Sequence, residues 1–210
     1  MATTINSIPQ YLLQSKAIKL EPTKPFTWAS GWKSPIYCDN RITLSFPDIR
    51  AAICDAFVEK IKKHYPDVEV IAGVATGAIA QGALVAAAMN LPFVYVRSAP
   101  KKHGMENLIE GIVKPGQKVV VVEDLISTGG SSLQAVEALR KADANVLGMV
   151  AIFTYGFATA ENNFKAAACE LVTLTDYMEL LDLALQTGYI KADQIEVLKQ
   201  WRQSPETWMQ

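Results

Sequence analysis

The residues best suited to chemistry lie between Val119 and Ser131, in the stretch VVVVEDLISTGGS. Four valines read as a buried strand that ends in two adjacent carboxylates, Glu123 and Asp124. A turn rich in Ser, Thr and Gly follows, and a helix starts directly after it. A helix N-terminus offers unpaired N–H groups and the positive end of the helix dipole, which together hold anions. Gly129 and Gly130 let the backbone approach a bound anion closely, and Ser127, Thr128 and Ser131 add hydroxyl donors. This describes a phosphate cradle. The two acids beside it repel phosphate, but they suit sugar hydroxyls or a hydrated Mg²⁺. Together the parts call for a ribose phosphate. An ordinary strand end accommodates one capping acid easily, but not two beside Ser-Thr-Gly-Gly-Ser. The segment has neither the Gly-Lys-Ser/Thr of a P-loop nor the GxGxxG of a dinucleotide site.

Two further segments have the right residue types. Arg97, at the end of a predicted strand, and Lys101, Lys102 and His103 concentrate positive charge at the loop Ser98–Gly116, a stretch with three glycines and no helical or strand period. A cationic loop of this kind can close over an anionic leaving group, although a plain solvated loop has the same composition. Ala72 to Ala78, AGVATGA, reads as a strand running into a glycine-bracketed turn before a helix, and it too presents N–H groups.

The elements that must position these residues follow from the hydrophobic pattern. Residues 5–18 have helical spacing up to the break at Pro22 and Pro25. Aromatic and Thr-rich runs flank Ser30-Gly31, which predicts a hairpin within Phe26–Arg41. Ser45 is placed to cap a helix running to about His64. Strands at 68–73, 91–97, 118–122, 145–153 and 170–174 then alternate with helices at 78–89, 131–142, 161–168, 176–186 and 191–201. Strands that read as continuous apolar runs between helices predict an α/β fold with a mainly parallel sheet covered on both faces.

The chain has 210 residues, half of them hydrophobic, and a formal net charge of −1. One domain over 1–210 is expected, with an N-terminal hood over about 1–45 and a core over about 46–210. Such a balance lacks the basic excess of a general nucleic-acid binder. Cys38, Cys54 and Cys169 are widely spaced and form no CxxC, so reduced thiols and a cytoplasmic setting are expected. Met1–Gln10 does not read as a secretory signal, and the apolar stretch at Ile79–Met89 is too short to span a bilayer.

The Val119–Ser131 segment resembles the phosphoribosyl pyrophosphate (PRPP) motif of the type I phosphoribosyltransferases. Phe26–Arg41, with its SGWKSPIY run, and Arg97–Gly104, RSAPKKHG, are similar to the orotate-using members of that family. The resemblance spans most of the chain and its order of elements. It implies the type I phosphoribosyltransferase fold, with transfer of the phosphoribosyl group from PRPP to N1 of orotate. The products would be orotidine 5′-monophosphate and pyrophosphate, in pyrimidine synthesis.

The resemblance also implies Mg²⁺ as cofactor, carried by PRPP with no direct protein ligand beyond water-mediated help from Glu123 and Asp124. By the same resemblance PRPP would be held by Arg97, Lys101, His103 and the run Glu123, Asp124, Leu125, Ile126, Ser127, Thr128, Gly129, Gly130 and Ser131. Lys101, His103 and Asp124 would act in catalysis. Orotate would meet Ser127, Tyr37, Arg41 and Lys33, the last two standing in for family cations absent at Ala29 and Gly156. A homodimer is implied, with loop 98–116 completing the partner subunit's site. A purine-using relative and a non-catalytic PRPP sensor are the alternatives. The hood segment argues against the first, and the near-neutral charge with the retained acid pair and cationic loop against the second.

Overall fold

The computed structural model describes residues 7–28, 31–97 and 108–209. The chain opens with helix α1 (Ile8–Gln14), strand β1 (Ile18–Leu20), the short strands β2 (Phe26–Thr27) and β3 (Lys33–Ser34), and β4 (Ile36–Cys38). A 3-10 turn at Asn40–Ser45 leads into α2 (Pro47–His64). Then come β5 (Val70–Val74), α3 (Ile79–Met89), β6 (Phe93–Val96), β7 (Ile109–Glu110) and β8 (Lys118–Ile126). The chain closes with α4 (Gly130–Lys141), β9 (Asn145–Thr154), α5 (Ala158–Ala166), β10 (Leu171–Asp176), α6 (Tyr177–Gln186), a 3-10 turn at Ala192–Gln194 and α7 (Ile195–Gln203).

The expected α/β sheet forms. Its six strands run in the order β10-β9-β8-β5-β6-β7, all parallel except the edge strand β7. Alternate residues of each strand face opposite sides. Val119 and Val121 therefore pack with Val136, Leu139 and Phe164 under α4 and α5. Val120 and Val122 pack on the other face with Ile53 and Phe57 of α2. That second face also takes Leu12, Ile18 and Ile36, so the N-terminal hood shares a core with the sheet.

Several expectations change. The first helix stops at Gln14, because the Ser15 hydroxyl takes the Tyr11 carbonyl at 2.7 Å and Lys16 turns left-handed. Ile18 and Leu20 then serve a strand paired with β4, burying alternate residues that also fitted a helical period. The hairpin forms over only two residue pairs, Phe26 with Ser34 and Thr27 with Lys33. The helix after Ser45 begins without a side-chain cap: Phe46 precedes Pro47, and Ser45 belongs to the 3-10 turn. Within the stretch read as a loop, β7 pairs with β6, while residues 98–107 lie outside the described residues.

Strand β8 is the longest departure. It runs to Ile126, so the two acids lie within the strand instead of at its end. Leu125 and Ile126 still pair with Phe153 and Thr154 of β9, whereas the β5 ladder stops at Gly73 opposite Val122. From Glu123 onward β8 overhangs its neighbour. The strand order also reverses between β5 and β8, the place where open α/β sheets bind ligands.

Candidate active site

The overhang leaves a polar cavity of about 530 Å³ at the carboxyl ends of β5 and β8. One wall is the Ala75–Gly77 turn, and the opposite wall is the turn from Ser127 to Ser132. Gly77 is required here, because a β-carbon would overlap the Asp124 carboxylate. Gly129 has φ +81, and a β-carbon there would lie 2.7 Å from the Phe164 ring. Gly130, the first residue of α4, has open space where its β-carbon would lie. Asn163 of α5 holds the turn from behind, donating its amide to the Thr128 carbonyl at 2.9 Å.

Glu123 is 5 % exposed. Its carboxyl accepts the Asp124 N–H at 2.9 Å and the Ser132 hydroxyl at 2.7 Å. Burial, and then the neighbouring Asp124, push its pKa up to about 8. Burial also raises Asp124, against the pull of a hydrogen bond from Glu123 and of the Arg41 charge. Both shifts run the same way, so burial makes the pair hold protons more tightly than free carboxylates do.

The hood supplies the remaining wall. Asn40, 2 % exposed, donates to the Asp124 carbonyl at 2.6 Å and accepts the Cys38 thiol at 3.4 Å. Arg41 grips Asp39 with two bonds of 2.7 and 3.0 Å, which hold the Asp39 carboxyl below its usual range. Both Asp39 and Arg41 line the polar cavity.

A second cavity of about 280 Å³ adjoins the first. Trp28, Tyr37 and Tyr155 line it, with Thr27 at its edge, and Cys38, Leu125 and Ser127 are common to both cavities. Trp28 and Tyr155 lie 5.3 Å apart between ring centroids. A flat, partly apolar ring fits such walls, while a sugar phosphate fits the polar chamber.

Of the residues singled out in the sequence, Glu123, Asp124, Leu125, Ser127, Thr128, Gly129, Gly130, Ser131 and Arg41 line the polar cavity, and Tyr37 lines the aromatic one. Ile126 is fully buried in the core under α4 and offers only its backbone. Lys33 lines neither cavity; its ammonium donates to Thr27 Oγ1 at 2.8 Å. Arg97 follows β6, 3.5 Å from Glu110, and is not among the residues that line the polar cavity. Lys101 and His103 lie outside the described residues. Sequence reasoning missed Trp28, Tyr155, Asn40 and Asn163. The aromatic content near Trp28 was a usable signal, whereas nothing local marks Asn40 or Asn163.

Residues 46–181 match the phosphoribosyl transferase domain family model. An orotate phosphoribosyltransferase from Porphyromonas gingivalis is 62 % identical over 208 residues, covering 99 % of each chain. The chain belongs to the orotate phosphoribosyltransferase family. Among solved structures, the orotate phosphoribosyltransferase of Aeropyrum pernix superposes with a TM-score of 0.74 at 25 % identity, over 88 % of this chain and 99 % of that one. The UMP synthase of Leishmania donovani gives a TM-score of 0.78 at 26 % identity over 93 % of this chain. There the likeness spans 41 % of the longer protein. The family-model match begins beyond the hood and ends before α7, but the Porphyromonas relative aligns through both.

Proposed function

We propose that the protein transfers the 5-phosphoribosyl group from PRPP to N1 of orotate, releasing pyrophosphate and orotidine 5′-monophosphate. The observation that carries this reading is the pair of joined cavities, one polar and one aromatic, meeting at Cys38, Leu125 and Ser127. The reacting carbon, C1 of the ribose, belongs at that junction. There the bond from orotate N1, its proton already lost to solvent, forms as the bond to the pyrophosphate oxygen breaks, and the electron pair leaves with pyrophosphate.

The 5′-phosphate is held by the amides and hydroxyls of Ser127–Ser131 and anchors the sugar. The ribose hydroxyls donate to Asp124 and Glu123, whose remaining charge favours the developing positive ribose. Trp28, Tyr37 and Tyr155 enclose the base, and Ser127 and Arg41 provide polar contacts to it. Lys33 serves only as a rim charge. The amides of the Ala75–Gly77 turn, with Arg97, Lys101 and His103, stabilise the leaving pyrophosphate. Arg97 exchanges Glu110 for the ligand. Of loop 98–116, β7 stays in its own sheet, and the Lys101–His103 part comes from the partner subunit of a homodimer; hood and core act as one unit in the cytoplasm.

Mg²⁺ fits this donor set as a passenger of PRPP. No cluster of three or more His, Cys, Asp or Glu side chains suited to a metal occurs among the described residues, but Asp124 faces the polar cavity and suits a hydrated ion. When bound, the ion would neutralise pyrophosphate charge. The test is loss of orotate absorbance with purified protein and PRPP, with and without Mg²⁺. The reading expects Mg²⁺-dependent loss matched by pyrophosphate release; no loss would overturn it.

A further inference from the structure

The two walls of the aromatic cavity come from distant parts of the chain, and one turn of α7 touches both. On the hood side, Trp201 donates its indole N–H to the Lys33 carbonyl at 3.2 Å, and its ring stands edge-on to Trp28 at 5.6 Å. On the sheet side, Trp201 packs edge-on to Tyr155 at 5.5 Å. The next residue, Arg202, donates Nε to the Tyr155 carbonyl at 3.0 Å and Nη2 to the Gly156 carbonyl at 2.8 Å. Those carbonyls follow the last residue of β9. A guanidinium answers both because its fork of donors is planar and rigid. Gly156 has φ +65, and a β-carbon there would lie 2.8 Å from Arg202 Nη2, so turn and guanidinium are matched in shape. Tyr155 is tied on its other side as well, its N–H donating to the Ile126 carbonyl at 3.1 Å.

We propose that Trp201 and Arg202 are positioning residues for the base: α7 holds Trp28 and Tyr155 against each other and thereby fixes the aromatic surface on which the planar substrate rests, independently of PRPP. Trp201 and Arg202 line neither cavity, so they act through Tyr155 and Trp28. The inference rests on orotate as the base, as argued above.

The test is initial-rate kinetics of the full chain with both substrates varied, on wild type, Arg202→Ala, Arg202→Lys and Trp201→Phe, with melting temperatures taken alongside. Arg202→Ala is expected to raise KM for orotate about ten- to a hundredfold, the loss typical of a misplaced wall, with KM for PRPP unchanged. Arg202→Lys recovers part of that loss, since an ammonium reaches one carbonyl at a time. Trp201→Phe keeps the ring, loses the bond to Lys33 and shifts KM for orotate in the same direction. An unchanged KM for orotate in Arg202→Ala would overturn the inference, as would an equal rise in both KM values. Inactive wild-type protein would instead remove the proposed reaction, and this inference with it.

Discussion

At the scale of single residues, the acid pair is the most informative feature. Glu123 titrates near 8 in the folded chain, where an ordinary glutamate has 4.5, because burial and Asp124 both disfavour its charge. A raised carboxyl pKa means the folded state holds the proton more tightly. Its stabilising contribution is complete below about 4.5 and is lost as pH rises toward 8. The limiting slope in that window is ~1.4 kcal/mol per pH unit. The melting temperature of ligand-free wild type should therefore fall more steeply between these limits than that of Glu123→Gln; parallel curves would contradict the raised Glu123 carboxyl. Asp124→Asn should lower turnover about tenfold or more while leaving the far-ultraviolet circular dichroism unchanged. An unimpaired turnover would remove Asp124 from the reaction. The acids and their turn were legible because they stand together in one stretch of chain. Asn40 was not, since its partner at Asp124 is 84 residues away and an Asn before a turn is commonplace.

At the scale of elements, the turn between β8 and α4 contains two glycines with different duties. Gly129 has a positive φ and presses on Phe164, while Gly130 opens α4 with free space ahead of it. Gly129→Ala should lower the melting temperature, at a cost of about 1 kcal/mol or more. Gly130→Ala should leave the fold as stable or slightly more so, yet raise KM for PRPP, because it adds a methyl to a residue that lines the polar cavity. Equal effects on stability would undo the distinction. The alternating elements of the core were readable from their periods, and the α/β sheet follows from them. The ends were not. The spacing of Ile8, Leu12, Leu13 and Ile18 satisfies a helix, and only the pairing of Ile18 with Cys38 decides for a strand. Likewise, β8 outruns its valine run because β9 continues to pair with it, a fact no local pattern contains.

At the scale of the whole molecule, the proposed dimer makes a direct prediction. If Lys101 serves the neighbouring subunit's Asp124, two impaired variants complement each other. Lys101→Ala mixed with Asp124→Asn should recover about a quarter of wild-type activity after subunit exchange, since half of the random dimers contain one intact site. No recovery after verified exchange would place both residues in one subunit's site. The same view explains why the base site was the least legible part of the sequence: its walls are joined by Trp201 and Lys33, 168 residues apart. That arrangement has an optical consequence. Three of the four tryptophans, Trp28, Trp32 and Trp201, form a chain with ring centroids 6.4 and 5.6 Å apart, and Trp28 lines the aromatic cavity. No tryptophan lines the polar cavity. The protein therefore contains its own emission reporter for one substrate and is nearly blind to the other. Orotate should quench its ultraviolet fluorescence in the absence of PRPP, giving a base-binding isotherm without turnover.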